Sequence, residues 1–237
     1  MIGCLIIHGY TGGPYEVEPL TNYLKEKTNW QIEVPVLSGH GTELDLEHVN
    51  YEEWLSDAVE ALVTLKETCE TIYVIGFSMG GMIAAYLAAN YQIDRLVLLS
   101  TARRYLSFRH LSTYIRDGIE AGVKGELKES PLYQHYKYKF DVVPFTANIE
   151  FMKLVNKTKA YLKHVTTPVF IAQGQKDALV PAKTAYYLHD EISSEDKEVV
   201  FFERSNHLIC LGNDQDVLNV MIYRFLNDKG RDKTKRV

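Results

Sequence analysis

The chain has 237 residues, 46% hydrophobic and 24% charged, the composition of a globular protein long enough for one α/β domain with an insertion. Its formal net charge of -5 argues against a nucleic-acid partner, because such binders usually carry a basic excess. Cys4, Cys69 and Cys210 form no C-x-x-C pair, which argues against a disulfide framework or a thiolate zinc site and fits a reducing compartment.

The opening MIGCLIIHGYTGG has no basic stretch, and its apolar run is too short for a signal peptide or a membrane span. A cytoplasmic protein without stable membrane insertion is therefore expected. Residues 2–8 (IGCLIIH) read as a buried strand, and 16–28 as a helix. Residues 30–37 (WQIEVPVL) alternate and read as a strand nearer an edge. Then come a helix over 51–69, a strand over 71–77 (TIYVIGF), a helix over 79–91 and a strand over 94–100 (DRLVLLS). After an interruption the pattern resumes. Strands are expected over 168–174 (PVFIAQG) and 198–203 (EVVFFE), and helices over 182–192 and 215–228. The tail KGRDKTKRV is charged and expected to fray.

The strand runs are nearly continuous in apolar residues, as strands covered on both faces are. Strands alternating with helices predict an α/β fold with a mostly parallel, doubly wound sheet. Between 101 and 166 no buried strand is evident. The stretches there are helical in pattern and rich in tyrosine and lysine. The expected organisation is a core of residues 1–100 and 167–237 with a mainly helical cap inserted at 101–166. That insertion carries 12 Lys or Arg and 6 Asp or Glu, a net of +6, which leaves -11 for the rest. A basic cap attracts anionic substrates or a membrane surface; an evenly solvated helical face explains the same lysines.

One short stretch carries chemistry. Gly76-Phe77-Ser78-Met79-Gly80 is a G-x-S-x-G motif between a strand and a helix, the setting of a nucleophile elbow. Small residues are needed there because the turn crowds the serine's neighbours. A tight turn whose serine merely caps the helix is the simpler alternative. A serine needs a base to take its proton. His207 follows the strand 198–203, in a loop at the carboxyl end of the sheet, where sites in such sheets gather. His8 and His40 each precede a glycine turn and read as structural. His48, His110, His135, His164 and His189 fall in helical or insertion contexts.

The imidazole in turn needs a carboxylate. Asp177 follows the strand 168–174, although it also reads as a turn residue capping the helix after Pro181. Asp94 begins a strand and so lies at the wrong sheet edge; Asp141 is in the insertion, and Asp190 closes a helix. The order Ser78, Asp177, His207 is that of an α/β-hydrolase arrangement. The developing oxyanion needs backbone donors. The Met79 amide follows the serine, and the Tyr10 amide lies in the glycine-rich HGYTGGP loop, whose glycines would equally serve a bare turn.

With these pieces placed, LIIHGYTGGP, PVLSGHGT, YEEWLSDA, VIGFSMGGMIAAYLA, QGQKDALVP and FERSNHLI resemble, in order, segments of the α/β-hydrolase superfamily. The resemblance is to its small bacterial carboxylesterases and monoacylglycerol lipase-like enzymes. It implies Ser78, Asp177 and His207 as the triad, Tyr10 and Met79 as oxyanion-hole amides, and 101–166 as the cap. The chain opens on the strand before HGYTGG, so the family's first strands are expected to be missing. The implied activity is cofactor-free, metal-free hydrolysis of small carboxylic esters, short-to-medium acyl esters or monoacylglycerols, by a monomer or small homo-oligomer. A thioesterase, amidase or C–C hydrolase with the same triad, or a slow-turnover ligand receptor on the same fold, are the alternatives. Tyr105, Leu106, Phe108, Phe145, Phe151, Met152 and Leu154 either line an acyl pocket or seal the cap against the core.

Overall fold

The computed structural model describes residues 1–103 and 143–228. Among them, six strands form one parallel sheet: β1 (Ile2–Ile7), β2 (Gln31–Glu33), β3 (Thr71–Phe77), β4 (Arg95–Leu99), β5 (Val169–Gly174) and β6 (Lys197–Phe202). Their spatial order is β2-β1-β3-β4-β5-β6. The helices are α1 (Glu18–Lys27), α2 (Tyr51–Thr68), α3 (Met79–Asn90), α4 (Phe145–Thr158), α5 (Thr184–Glu191) and α6 (Gln215–Asn227).

The near-continuous apolar strands divide between two cores because successive side chains leave a strand on opposite faces. Leu5, Ile7, Val74, Leu96, Leu98 and Ile171 enter one core, with side chains of α2, α3, α4 and α5. Cys4, Ile6, Ile75, Val97, Leu99 and Phe170 enter the other, against α1 and α6. Helices therefore cover both faces, as the doubly wound expectation requires. α2 starts where Asn50 caps it: the Asn50 side chain accepts from the Glu52 and Glu53 amides, and Glu53 reaches back to the Asn50 N–H.

The strand expected over 30–37 is shorter. Only Gln31–Glu33 pairs, with β1, at the sheet edge. Pro35 lacks an N–H and biases the residue before it, so the ladder stops there. The helical reading of the later insertion residues holds for α4 and for the 3-10 segment Lys159–His164. Of the apolar side chains named there, Phe151 and Leu154 are fully buried in the core shared with α3. Phe145 and Met152 are exposed. Tyr105, Leu106, Phe108, His110, His135, Asp141 and the charged tail lie outside the described residues. No described helix is long and apolar enough to cross a membrane.

One feature of the strand order positions a site. β1 leads to β2 on one side, and the chain then returns to lay β3 on the other side of β1. Ile7 pairs with Gly76, so the carboxyl ends of β1 and β3 lie side by side. Open α/β sheets bind ligands at such a reversal, outside the carboxyl ends of the strands.

Candidate active site

Ser78 occupies the turn between β3 and α3 with φ 53° and ψ -113°, a conformation that a residue with a side chain rarely adopts. The surrounding backbone holds it there. Its N–H donates to the Leu99 carbonyl (2.8 Å), and its carbonyl accepts from the amides of Gly81 and Ala102 (3.1 Å each). The close approach explains the glycines: a Cβ on Gly76 would lie 2.2 Å from the Gly80 oxygen. The Ser78 hydroxyl makes no capping bond to α3. It hydrogen-bonds His207 Nε2 instead, at 2.9 Å.

His207 and Asp177 complete the line. His207 Nδ1 lies 2.8 Å from Asp177 Oδ2. An ionised carboxylate only accepts, so Nδ1 carries the proton and Nε2 presents its lone pair to the serine hydroxyl. Asp177 does not cap the helix after Pro181: α5 has Lys183 at its N-cap and no side-chain cap bond. Oδ1 accepts from the Leu179 and Val180 amides (2.9 and 2.8 Å), fixing the loop after β5, while Oδ2 faces the histidine. The Asp177 side chain is fully shielded from solvent and that of His207 is 12% exposed, so the chain of bonds runs from interior to surface. Phe77 packs beside the imidazole, ring centres 5.2 Å apart.

Sequence reasoning missed the residues that bring the two loops together. Gln173 is 1% exposed, and its Nε2 donates to the same Asp177 Oδ2 at 2.9 Å. A polar residue at the carboxyl end of an otherwise apolar strand was the available signal. β6 lies three strands from β3, so the histidine loop must pass back over the end of β5. Gly174 permits this: a Cβ there would lie 2.5 Å from the Asn206 oxygen and 2.6 Å from that of Ser205. The Lys176 amide donates to the Ser205 carbonyl (3.0 Å). Buried Asp214 then anchors the loop, accepting from the Arg204 amide (3.0 Å), Arg204 Nε (2.7 Å) and Ser205 Oγ (2.9 Å). Burial pushes the Asp214 carboxyl up, but the bonds from Arg204 and Ser205 outweigh it and hold the group below its ordinary range. No local pattern marked Asp214, which lies ten residues from Arg204 in sequence.

The backbone at the end of β1 packs against the serine's turn: a Cβ on Gly80 would lie 2.3 Å from the Ile7 oxygen and 2.5 Å from that of His8. Met79 is the first residue of α3, where the helix dipole and unsatisfied amides favour negative charge. Tyr10 lies in the loop after β1, adjacent to the end of β3. That loop is organised by Glu16, also missed by sequence reasoning, which placed it in a helix over 16–28. Glu16 is 3% exposed, and its Oε2 accepts from the Gly9 amide at 2.9 Å. The Gly12 amide donates to the Gly9 carbonyl (3.3 Å), and the Gly41 amide donates to that of Gly12 (3.0 Å). His8 commits both ring nitrogens to backbone: Nε2 accepts from the Leu37 amide (3.1 Å) and Nδ1 donates to the Gly9 carbonyl (2.9 Å).

The other carboxylates stand elsewhere. Asp94 Oδ2 accepts from the Ile72 amide at the opposite edge of the sheet (2.7 Å). Asp190 is on α5, its side chain 75% exposed. The three cysteines are buried and free. Burial pushes the Cys210 thiol up to about 12, and Glu16 adds to the rise. Among the described residues no cluster of His, Cys, Asp and Glu converges as a metal site would require.

A parallel, doubly wound sheet with a strained serine at its reversal and a histidine–carboxylate pair reaching it from later loops is the architecture of one class. Residues 4–220 match the Alpha/beta hydrolase family, and the chain belongs to it. A thermostable monoacylglycerol lipase of Bacillus sp. (strain H-257) is 29% identical over 224 residues, covering 92% of this chain and 87% of the relative. A carboxylesterase of Bacillus subtilis (strain 168) is 24% identical, covering 94% and 91%. Among solved structures, one from the metagenome-derived lipolytic enzymes LipS and LipT superposes with a TM-score of 0.78 at 22% identity, covering 96% of this chain and 94% of that one. A Paleococcus ferrophilus monoacylglycerol lipase gives 0.68 at 16%, covering 94% and 93%. At these identities the structural likeness is one of fold.

Proposed function

We propose that the protein is a serine hydrolase of carboxylic esters, with Ser78 as nucleophile, His207 as general base and acid, and Asp177 as the group that orients and stabilises His207. The observation that carries this reading is the line of bonds through His207, 2.9 Å to Ser78 Oγ and 2.8 Å to Asp177 Oδ2. Ser78 Oγ attacks the ester carbonyl carbon as its proton passes to His207 Nε2. The carbonyl oxygen takes the charge and faces the amides of Tyr10 and Met79. As the C–O bond breaks, His207 returns the proton to the departing alcohol, leaving an acyl group on Ser78. Water, deprotonated by His207, then releases the carboxylic acid and restores the serine.

The substrate class proposed is short-to-medium acyl esters or monoacylglycerols. The names of the two Bacillus relatives support this choice: one is a monoacylglycerol lipase and the other a carboxylesterase. Residues 101–166 are proposed as the cap that shapes the acyl site, carried at its end by α4.

The test is hydrolysis of p-nitrophenyl esters of graded chain length, with thioester and amide analogues alongside, combined with labelling by a fluorophosphonate. One label per chain and ester turnover are expected, and Ser78→Ala loses both, with kcat down by roughly 10⁴- to 10⁶-fold. A Ser78→Ala protein that still turns over esters rejects the assignment; faster thioester or amide cleavage moves the substrate class.

A further inference from the structure

The Tyr10 side chain makes contacts that an amide donor does not need. Its ring stacks on Phe151 of α4, centres 4.8 Å apart and planes 16° from parallel. Its hydroxyl donates to Asn148 Oδ1 at 3.1 Å. Trp54 and His40 meet the same ring, with centres at 5.9 and 6.0 Å. Asn148 is itself oriented: its Nδ2 donates to the Pro144 carbonyl (3.3 Å), which turns Oδ1 toward the tyrosine. Phe151 is fully buried in the main core, so its ring is a fixed platform. One residue further along the loop, Thr11 has φ 59°. That left-handed backbone changes the chain's direction immediately after the tyrosine.

Asn148 and Phe151 lie three apart on α4, so they share one face of the helix. The stacked ring and the hydrogen bond together restrain both the position and the rotation of Tyr10. Its amide is attached to a side chain that two residues of another element hold in place. The same helix turn also reaches the start of α2, where the Tyr51 amide donates to Glu150 (3.3 Å).

We infer that Asn148 and Phe151 are positioning residues for the oxyanion hole, acting through the Tyr10 side chain to aim the Tyr10 amide. The inference rests on the reading of that amide as an oxyanion donor. It has a mechanistic consequence. Donors aimed at the oxyanion act in the transition state, so misaiming one lowers kcat and leaves KM nearly unchanged.

The experiment uses Tyr10→Phe, Asn148→Ala, their double variant and Phe151→Leu in the full chain. Rates are expressed per active site titrated with a fluorophosphonate, and melting temperatures are recorded. Tyr10→Phe and Asn148→Ala each remove the same hydrogen bond. Each is expected to lower kcat by about three- to tenfold, and the double variant by no more than either alone. Affinity for a trifluoromethyl ketone, which forms an oxyanion on Ser78, should weaken by the same factor as kcat/KM. Phe151→Leu keeps the core filled but removes the stack, and should also lower kcat. Unchanged kcat per titrated site across these variants, or losses in Tyr10→Phe and Asn148→Ala that multiply, overturns the inference even if melting temperatures fall. Failure of the underlying reading looks different: the parent protein itself would then bind the ketone no better than a ground-state analogue.

Discussion

At the β3–α3 junction, Ser78 is held by backbone: three main-chain hydrogen bonds, a positive φ and flanking glycines. The loops after β5 and β6, which present Asp177 and His207, are held instead by side chains, through Gln173, Arg204, Ser205 and Asp214. The first arrangement joins main-chain groups of the β3–α3 turn to Leu99 and Ala102 at the end of the neighbouring strand β4. The second brings together residues 129 positions apart, His207 and Ser78. A backbone-built corner tolerates few substitutions and needs no side-chain partners. A side-chain-built one can be taken apart bond by bond, and that difference is measurable.

Within the side-chain-held half, the largest effect should come from the bond between Asp177 and His207. Asp177→Asn leaves an amide that can turn its donor toward His207 and hold the wrong tautomer, with kcat expected to fall by up to ~10⁴. Asp94→Asn, at the opposite sheet edge, should leave kcat within about twofold of the parent, since it touches no reacting group. Steady-state kinetics on a purified pair checks this; near-full activity in Asp177→Asn would mean that another carboxylate serves, with Glu203 the next to replace.

Next is the place where the side-chain half borrows a backbone device. Gly174→Ala sets a methyl against the Ser205 and Asn206 carbonyls and so displaces the histidine loop. A shift of about 1 Å there is expected to cost about 10² in kcat/KM. Ser78→Ala and Gly174→Ala together should then do no worse than Ser78→Ala alone, because both act on one reaction line.

A smaller loss is expected for Gln173→Leu. It removes one donor from Asp177 Oδ2, and bonds to charged groups contribute about 1.5–3 kcal/mol, so kcat should drop by about tenfold or more. Fluorophosphonate labelling slows in parallel. A variant that loses thermal stability without changing kcat would show that Gln173 only closes its loop.

The smallest effect is expected at Asp214. Its carboxyl is held below the ordinary range, so the folded state binds its proton less readily than the unfolded chain does. Its stabilisation is therefore present at neutral pH and fades as pH falls through the lowered folded value. Asp214→Asn should lower the melting temperature by at most about 2–4 °C at pH 7. The gap between variant and parent should close on acidification toward pH 3. A gap that widens in acid would contradict the sign of the shift.

The strand–helix alternation, the strands' burial on both faces and the glycine-flanked serine were legible because each depends on residues within one turn or one strand. Apolar runs such as TIYVIGF bury both faces whatever they pair with, and a serine between Gly76 and Gly80 meets its steric need locally. The 30–37 strand was overestimated because alternation registered more strongly than Pro35, which removes a ladder donor. The strand order was not legible: nothing in β1 or β3 states that they are neighbours, and only their packing puts the Tyr10 loop beside Ser78. The same holds for the polar residues behind the site. Glu16 and Asp214 look like ordinary solvated side chains in sequence, and Gln173 stands out only as a polar residue ending an apolar strand. Burial gives them their roles, because a polar group withdrawn from water must find partners, and those partners are supplied by distant segments that only the tertiary fold brings within reach.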